Sequence, residues 1–260
     1  MADPLFSIEG KRFFITGGAS GIGRMISEGL AERGARIFTC SRKQSSLDDL
    51  TKTLADERGF DVKAVQADLS KMEDIERVAA AASEHFGGEL DVLVNNAGAT
   101  WGADIDAYPE EGWDKVFDLN VKALFFLTQK CLPMLRKAAA PPERLARVIN
   151  IGSISGIQHP ADNAWAYHPA KAAVHHLSAT MAKTLVREGV AVNTIAPGLF
   201  PSKMTAFMMP GGDTSGVARA IPMRRAGQQS DIVGTVIYLA SEASGFATGA
   251  LIRLDGGSAL

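Results

Sequence analysis

The stretch KRFFITGGASGIG (11–23) joins a short apolar run to three spaced glycines, Gly17, Gly21 and Gly23. The run predicts a β-strand, because aromatic and β-branched residues favour strands. A helical pattern over Arg24–Arg33 follows the glycines directly. Glycines between a strand and a helix let the backbone approach a phosphate closely, and the helix N-terminus offers it free N–H groups. The stretch therefore predicts a nucleotide-binding turn.

Short apolar runs and longer helical patterns alternate along the rest of the chain. Further strands are predicted at Ala35–Cys40, Val62–Gln66, Leu90–Val94, Arg147–Ile151, Val190–Ile195 and Leu251–Leu254. Further helices are predicted at Ser46–Arg58, Met72–Phe86, Glu110–Lys137 and His168–Glu188, with an interruption near Pro133. Such alternation indicates an α/β fold: one Rossmann-type domain over residues 1–260, with a doubly wound parallel sheet and helices on both faces.

One segment, at about 198–225, breaks this alternation between the sixth strand and the helix that follows. Long irregular segments inside compact domains are often lids or binding loops. This one carries the apolar residues Met204, Phe207, Met208 and Met209. Because methionine adapts to irregular shapes, we expect the segment to cover an apolar substrate.

The bulk composition is that of an ordinary globular protein and points to no macromolecular ligand. The 260 residues are 46% hydrophobic and 22% charged, with a net charge of −2, so neither a nucleic acid nor a membrane is expected as a partner. Cys40 and Cys131 lack metal-site spacing, and no metal is expected. The start of the chain lacks the apolar core of a signal peptide, and no apolar run reaches the ~20 residues of a membrane span. The expected location is the cytoplasm.

The end of the second predicted strand carries the coenzyme preference. Enzymes that prefer NAD place an acidic residue about 20 residues beyond the glycines, where it binds the ribose 2′-hydroxyl. This chain has Ser41, Arg42 and Lys43 there instead. A guanidinium group binds a phosphate in a forked geometry, which favours NADP(H) over NAD(H). The alternative is that Arg42 and Lys43 form a solvated loop pair.

Two further stretches follow strands at the same predicted edge. Asp68 and Leu69 come after the third strand, where a carboxylate can accept a hydrogen bond from an adenine amino group; Asp68 can equally cap the helix that starts near Ser70. The run NNAG (95–98) follows the fourth strand. Its small residues and amides suit a chain that passes close to a cofactor.

The start of the second long helix carries the predicted proton-transfer residue. Tyr167 and Lys171 are four positions apart and share one helix face, and Pro169 between them fits only the first helical turn. A free tyrosine titrates near 10, and a neighbouring ammonium group, together with the positive charge of an oxidised nicotinamide, is expected to lower its pKa. Tyr167 is then an acid/base for an alcohol or a carbonyl. Ser153, after the fifth strand, is placed to hold the substrate oxygen.

Together these motifs resemble the short-chain dehydrogenase/reductase family over nearly the whole chain. The matching stretches are TGGASGIG (16–23), Asp68, NNAG (95–98), Asn120 in DLNV, Ser153 in NIGSISG, YHPAK (167–171), Pro197-Gly198 and Asp255-Gly256-Gly257. The resemblance implies a seven-stranded parallel sheet of order 3-2-1-4-5-6-7 and a homotetramer or homodimer. It also implies a tetrad in which Ser153 orients the substrate oxygen, Tyr167 is the acid/base, Lys171 binds the nicotinamide ribose, and Asn120 holds a water of a proton relay.

The same resemblance implies a set of coenzyme contacts. They are Gly17, Ser20, Gly21, Ile22, Gly23, Ser41, Arg42, Lys43, Asp68, Leu69, Asn95, Ala97, Gly98, Tyr167, Lys171, Pro197, Gly198 and Ser202. Two positions depart from the family pattern: Ser202 stands where threonine is more common, and Ser20 where many NADPH-linked members carry arginine. A hydroxyl is kept at the first, and the second leaves more of the coenzyme preference to Arg42.

Within the family, the stretches AGATWGADIDAYPEEGW (97–113), RVINIGSISGI (147–157) and IAPGLFPSKMT (195–205) resemble bacterial 3-oxoacyl-thioester reductases, including the rhamnolipid-associated type. The hypothesis is an NADPH-dependent carbonyl reductase of 3-oxoacyl thioesters or related β-keto compounds. An oxidative secondary-alcohol, sugar or steroid dehydrogenase and a nucleotide-binding sensor without turnover remain as alternatives. His168 is expected to have no direct role, and His175 and His176 are expected to pack or to form subunit contacts.

Overall fold

The computed structural model describes residues 3–160, 162–202, 204–206 and 213–260. Its centre is a parallel seven-stranded sheet of order β3-β2-β1-β4-β5-β6-β7, which confirms the predicted fold class and strand order. The strands are β1 (Arg12–Thr16), β2 (Arg36–Ser41), β3 (Val62–Gln66), β4 (Val92–Asn95), β5 (Ala146–Ile151), β6 (Val190–Pro197) and β7 (Leu251–Leu254).

Helices cover both faces of this sheet. They are α1 (Gly21–Ala31), α2 (Gln44–Thr51), α3 (Met72–His85), α4 (Glu110–Phe117), α5 (Ala123–Ala138), α6 (Tyr167–Leu185), α7 (Ser215–Ala218) and α8 (Gln229–Ala240). One apolar cluster packs α1, α2 and α8 against one face, and a second packs α3, α5 and α6 against the other. The central strands are buried on both sides, which explains why the first three residues of β4 are all apolar.

The predicted interruption of the long helix near Pro133 is wrong. Helix α5 runs through Pro133, which lies on its exposed side, so that the carbonyl group freed by the missing N–H faces solvent. The α-helical geometry is interrupted earlier in the chain, by the π-helical turn Asp118–Lys122 between α4 and α5. Such turns occur frequently at functional sites, and this one contains Asn120.

The other boundary that bears on function is the start of α6. The helix begins at Tyr167, which places Pro169 in its first turn, as predicted. In the segment between β6 and α8, Met204 is described, whereas the predicted lid residues Phe207, Met208 and Met209 lie outside the described residues. Among the helices of the described ranges, none is long and apolar enough to cross a membrane.

Candidate active site

The carboxyl ends of the central strands surround a cavity of about 340 Å³. In open parallel sheets this edge, near the reversal of strand order, is where ligands bind. Predicted site residues that line it are Gly17, Ser20, Gly21, Ile22, Ser41, Arg42, Leu69, Ala97, Gly98, Asn120, Ser153, Tyr167, Lys171, Pro197, Gly198 and Ser202. The cavity thus brings together, from distant parts of the chain, the glycine turn and the four tetrad residues.

The turn between β1 and α1 has the geometry that a phosphate requires. Gly17 and Gly21 have φ angles of +67° and +54°, which only glycine adopts without strain. Ser20 caps α1 in an extended conformation without a side-chain capping bond, and its hydroxyl group borders the cavity. The first N–H groups of α1 have no partner within the helix and carry its positive dipole end, so this corner attracts an anion.

Gly23 supports this turn from behind and does not line the cavity. A Cβ atom on Gly23 would lie 2.3 Å from the Gly17 carbonyl oxygen and 2.4 Å from Asn96 Nδ2. Any side chain there would push α1 away from the end of β1. The geometry thus shows a packing role for Gly23, and its predicted contact with the coenzyme stays a prediction.

Thr16 and Asn96 join the ends of β1 and β4. Thr16 Oγ1 accepts hydrogen bonds from the backbone N–H groups of Asn96 and Ala97, each at 2.9 Å. Asn96 Nδ2 donates to the Thr16 carbonyl oxygen, also at 2.9 Å. These bonds fix the stretch 96–98 against the glycine turn, so both walls of the cavity hold their spacing before any ligand enters.

Asn95 does not line the cavity, whereas its neighbour Asn96 does, so the predicted coenzyme contact of Asn95 stays a prediction. Asn95 Nδ2 donates to Thr128 Oγ1 at 3.0 Å and to Asn150 Oδ1 at 2.9 Å, and Asn150 continues the chain of hydrogen bonds to Ser178. This buried network ties β4 and β5 to α5 and α6. The sequence repeats the same amide in NNAG, and only the direction of each side chain separates the two roles.

Of the two neighbouring cations Arg42 and Lys43, only Arg42 lines the cavity. Arg42 is exposed at the adenosine end of the cavity, and its backbone carbonyl oxygen accepts a bond from Gln66 Nε2 at 2.9 Å. Lys43 precedes the first turn of α2 and lies outside the cavity lining. The end of β2 presents no carboxylate at this point, so Arg42 is the cation that faces the predicted position of a 2′-phosphate.

Asp68 occupies the structural role that the sequence left as its alternative. Its Oδ1 accepts bonds from the backbone N–H of Ser70 at 3.1 Å and from the Ser70 hydroxyl at 2.9 Å. The residues on either side, Ala67 and Leu69, line the cavity, whereas Asp68 does not. The described geometry shows a turn-capping role for Asp68, and its predicted adenine contact stays a prediction.

Ser153 follows β5 and begins a short 3₁₀ turn, Ile154–Gly156. Its Oγ atom accepts a hydrogen bond from the Ser155 N–H at 3.1 Å. The serine hydroxyl therefore retains its own proton for a further partner. Its side chain borders the cavity next to Tyr167, which is where a substrate oxygen must lie for both hydroxyl groups to reach it.

The pKa of Tyr167 shifts in the direction opposite to the one predicted. Burial raises it above its ordinary value, and the hydrogen bond with the Ser153 side chain opposes that rise. The ammonium group of Lys171 lies 5.6 Å from the tyrosine ring centroid, and burial at this site outweighs its attraction for a phenolate. A raised pKa keeps the phenol protonated at neutral pH, which suits a proton donor.

Lys171 is buried beneath the same cavity. Its Nζ donates to the Ile151 carbonyl oxygen at 2.9 Å, and burial lowers its pKa to about 8. The end of β5 thus holds the ammonium group in place. A cation one helical turn from Tyr167 stabilises the negative charge that appears on the phenol oxygen when its proton leaves.

Asn120 reaches the cavity from the π-helical turn between α4 and α5. Its Nδ2 donates to the carbonyl oxygens of Ala99 and Val116, at 2.8 Å each. Its Oδ1 is buried and has no hydrogen-bond partner among the described residues. A Cβ atom on Gly98 would lie 2.7 Å from this Oδ1 and 3.7 Å from Lys171 Nζ, so glycine keeps the space beside both groups open.

The remaining lining residues were not among the predicted catalytic or coenzyme contacts, although Met204 belongs to the segment that was expected to cover the substrate. They are Cys40, Ala67, Asn96, Leu119, Ile151, Gly152, Phe200, Met204 and Thr205. Ala67, Asn96, Ile151 and Gly152 end or directly follow a strand and were detectable by position alone. Thr205 had no such signal: its hydroxyl donates to the Phe200 carbonyl oxygen at 2.7 Å and accepts the Ser202 N–H at 3.0 Å, which closes a turn beside Ser202.

Comparisons with known proteins agree with this geometry. A family model described as enoyl-(acyl carrier protein) reductase matches residues 17–259. The chain is 45% identical over 257 residues to the rhamnolipids biosynthesis 3-oxoacyl-(acyl-carrier-protein) reductase of Pseudomonas aeruginosa, with 98% of each chain covered. It is 34% identical over 251 residues to the 3-oxoacyl-(acyl-carrier-protein) reductase FabG of Vibrio cholerae, with 96% of this chain and 98% of the relative covered. The solved Pseudomonas aeruginosa RhlG/NADP active-site complex has a TM-score of 0.92 at 44% identity, covering 99% of this chain and all of that one (100%).

Proposed function

The chain belongs to the short-chain dehydrogenase/reductase family, and on that premise we propose that it reduces 3-oxoacyl thioesters to 3-hydroxyacyl thioesters with NADPH. The observation that carries the proposal is the convergence of Ser153, Tyr167 and Lys171 on one cavity that also contains the glycine turn. An oxygen held by Ser153 at this place meets a proton donor, and a glycine cradle leaves room for a nucleotide beside it.

The cavity suits the coenzyme. The positive φ angles of Gly17 and Gly21 and the free N–H groups of α1 provide a cradle for a pyrophosphate. Arg42 provides the cation for a 2′-phosphate, and Lys171 and Asn120 lie beside the opening at Gly98. When bound, NADPH supplies the hydride for the carbonyl carbon.

The protein contributes orientation and a proton. The Ser153 hydroxyl accepts from Ser155 N–H and donates its own proton to the substrate oxygen. Tyr167, protonated because burial raises its pKa, gives its proton to the same oxygen as negative charge develops there. Lys171 stabilises the phenolate that remains. Asn120 Oδ1 is the acceptor that the proposed proton relay requires next to Lys171.

The substrate class rests on the relatives and on the apolar part of the cavity. Both curated relatives described above carry names of 3-oxoacyl reductases. Phe200 and Met204, which belong to the irregular segment, contribute apolar side chains to the lining of the cavity. We assign the segment at about 198–225 as the cover of an acyl chain within one domain that spans the whole sequence.

Steady-state coenzyme oxidation tests the proposal. The purified protein is assayed with NADPH and with NADH against 3-oxoacyl thioesters of several chain lengths, simple ketones and keto sugars. We expect the highest kcat/KM for a 3-oxoacyl thioester with NADPH. No oxidation of NADPH with any of the thioesters refutes the substrate assignment, and faster oxidation of sugars or secondary alcohols with NAD supports a dehydrogenase instead.

We also propose that the protein forms homotetramers in the cytoplasm, where NADPH is regenerated. β7 ends the sheet, and Leu251 on it, Tyr238 on α8 and the fully exposed Phe246 leave apolar surface around that edge. Exposed apolar surface beside an open strand edge favours association of copies. Light scattering coupled to size-exclusion chromatography measures the mass. Phe246→Asp is expected to lower it, and a monomeric wild-type protein contradicts the assignment.

A further inference from the structure

His175 lies on the same face of α6 as Tyr167 and Lys171, one further helical turn along. The sequence suggested only packing or a subunit contact for it. Its ring instead packs beneath the end of β5, where Ser153 begins the 3₁₀ turn. The adjacent His176 is exposed.

The backbone N–H of Ser153 finds its acceptor on this ring. The distance from Ser153 N to His175 Nε2 is 3.4 Å, which is long for a hydrogen bond. The preceding residue, Gly152, bonds to the Ile195 carbonyl oxygen at 2.8 Å and so belongs to the sheet. The hydrogen bonds between β5 and β6 end at Gly152. The next N–H, that of Ser153, has the His175 ring as its acceptor instead of a carbonyl group of the neighbouring strand.

Two glycines make room for the ring on either side of Ser153. A Cβ atom on Gly152 would lie 2.3 Å from His175 Nε2, and one on Gly156 would lie 2.8 Å from His175 Cε1. The ring therefore lies in a slot bordered by both glycines, and at Gly156 the backbone of α6 requires glycine as well, because an added Cβ atom would lie 2.6 Å from the Lys171 carbonyl carbon. A side chain clamped in this way fixes the turn that carries the serine hydroxyl.

The charge state of the ring suits an acceptor. Burial, and then repulsion from Lys171, lower the pKa of His175 to about 4, so the imidazole is neutral in the physiological range. A neutral ring that accepts at Nε2 carries its proton on Nδ1. A protonated ring would present a donor to the Ser153 N–H and lose the bond.

We infer that His175 is a positioning residue for the reaction: by holding the Ser153 backbone N–H from below, its neutral ring sets where the serine hydroxyl meets the substrate oxygen. The inference rests on the proposed reductase activity, because Ser153 matters only if it binds the reacting oxygen. Bonds of this kind are often long in free enzymes and shorten in the reactive complex.

Two substitutions separate the acceptor from the bulk of the ring. His175→Gln keeps an oxygen acceptor near the position of Nε2, and His175→Leu keeps an apolar side chain without an acceptor. We expect His175→Leu to lower kcat about 3- to 10-fold, which corresponds to the loss of one hydrogen bond. We expect the dissociation constant for NADPH to stay unchanged, His175→Gln to recover most of kcat, and the matched control His176→Leu to behave as wild type.

A double-mutant cycle tests whether the effect passes through the serine. In a Ser153→Ala background, His175→Leu should cause no further loss of kcat, because the hydroxyl it positions is gone. An equal loss in both backgrounds overturns the inference. So does a folded His175→Leu enzyme with wild-type kcat, or a His175→Gln enzyme as slow as the leucine variant.

Hydrogen exchange provides a readout that needs no turnover. The amide protons of residues 151–158 are followed by mass spectrometry in the wild type and the same variants. Faster exchange in His175→Leu than in His175→Gln supports the bond to Ser153, and equal protection in all three proteins overturns it. If the wild type reduces no 3-oxoacyl thioester, the substrate proposal fails, while this comparison still decides whether the His175 ring holds the Ser153 N–H.

Discussion

Replacing Tyr167 with phenylalanine removes one oxygen atom from the cavity and leaves the ring in place. The ring packs against Val116, Ala166 and Ala170, and phenylalanine keeps the same ring for this packing. The lost group is the proton donor, whose pKa burial raises. General acid catalysis contributes about 100- to 10,000-fold, so kcat is expected to fall by that factor, or about 3–5 kcal/mol of transition-state stabilisation.

The folded state and coenzyme binding should change little. The interaction of the hydroxyl group with the Ser153 side chain, which opposes the rise in the Tyr167 pKa, is expected to contribute about 1 kcal/mol to stability. Coenzyme oxidation gives kcat, coenzyme fluorescence gives the dissociation constant for NADPH, and urea unfolding gives the stability. Tyr238→Phe, on the exposed side of α8, is the matched control. A Tyr167→Phe enzyme within threefold of the wild-type kcat would refute the acid role.

Three other substitutions test separate parts of the site. Arg42→Ala should raise KM for NADPH about 10- to 100-fold while KM for NADH changes little, because it removes a charge-assisted bond to the 2′-phosphate; equal effects on both coenzymes would contradict this. Lys171→Met should abolish most activity yet raise the thermal midpoint, because a buried ammonium group destabilises the fold. The pKa of Lys171 is about 8 in the folded chain, against an ordinary value of 10.5 in the unfolded chain. Between pH 8 and pH 10.5 the unfolded state therefore binds more protons than the folded state, so the unfolding free energy of the wild type should rise with pH. Urea unfolding at several pH values should show this rise in the wild type and not in the methionine variant. Asn95→Ala should cost about 1–3 kcal/mol in unfolding free energy but leave the NADPH dissociation constant within threefold, since Asn95 serves the buried network; a tenfold weaker binding would restore it as a coenzyme contact.

Local patterns in the sequence were sufficient for the architecture. Alternating strand and helix signals indicate a parallel sheet covered by helices, the glycine turn after the first strand marks its ligand-binding edge, and the resemblance to a known family supplied the strand order. The Tyr167–Lys171 pair was readable because helix periodicity places residues four apart on one face. Pro169 between them restricted the pair to the first turn of α6, where the structure has it.

Side-chain direction and solvation were beyond the reach of these patterns. Neighbours such as Asn95 and Asn96, or Arg42 and Lys43, are chemically alike, and they separate only because strand and turn geometry send one into the cavity and the other elsewhere. The same holds for Asp68, whose two readings differ only in which atoms its carboxylate meets.

What the sequence by itself determined is therefore the fold class and the edge of the sheet that binds ligands, since these follow from periodicities and short-range spacing, and it also pointed to the groups that are proposed to react. The tertiary structure decided the pKa values of those groups and the contacts that hold them in position. Burial raises the pKa of Tyr167 against the predicted direction and lowers that of Lys171, and His175 reaches Ser153 from 22 positions away. These effects depend on how much protein surrounds each group and on contacts between distant segments, and neither quantity exists until the chain is folded.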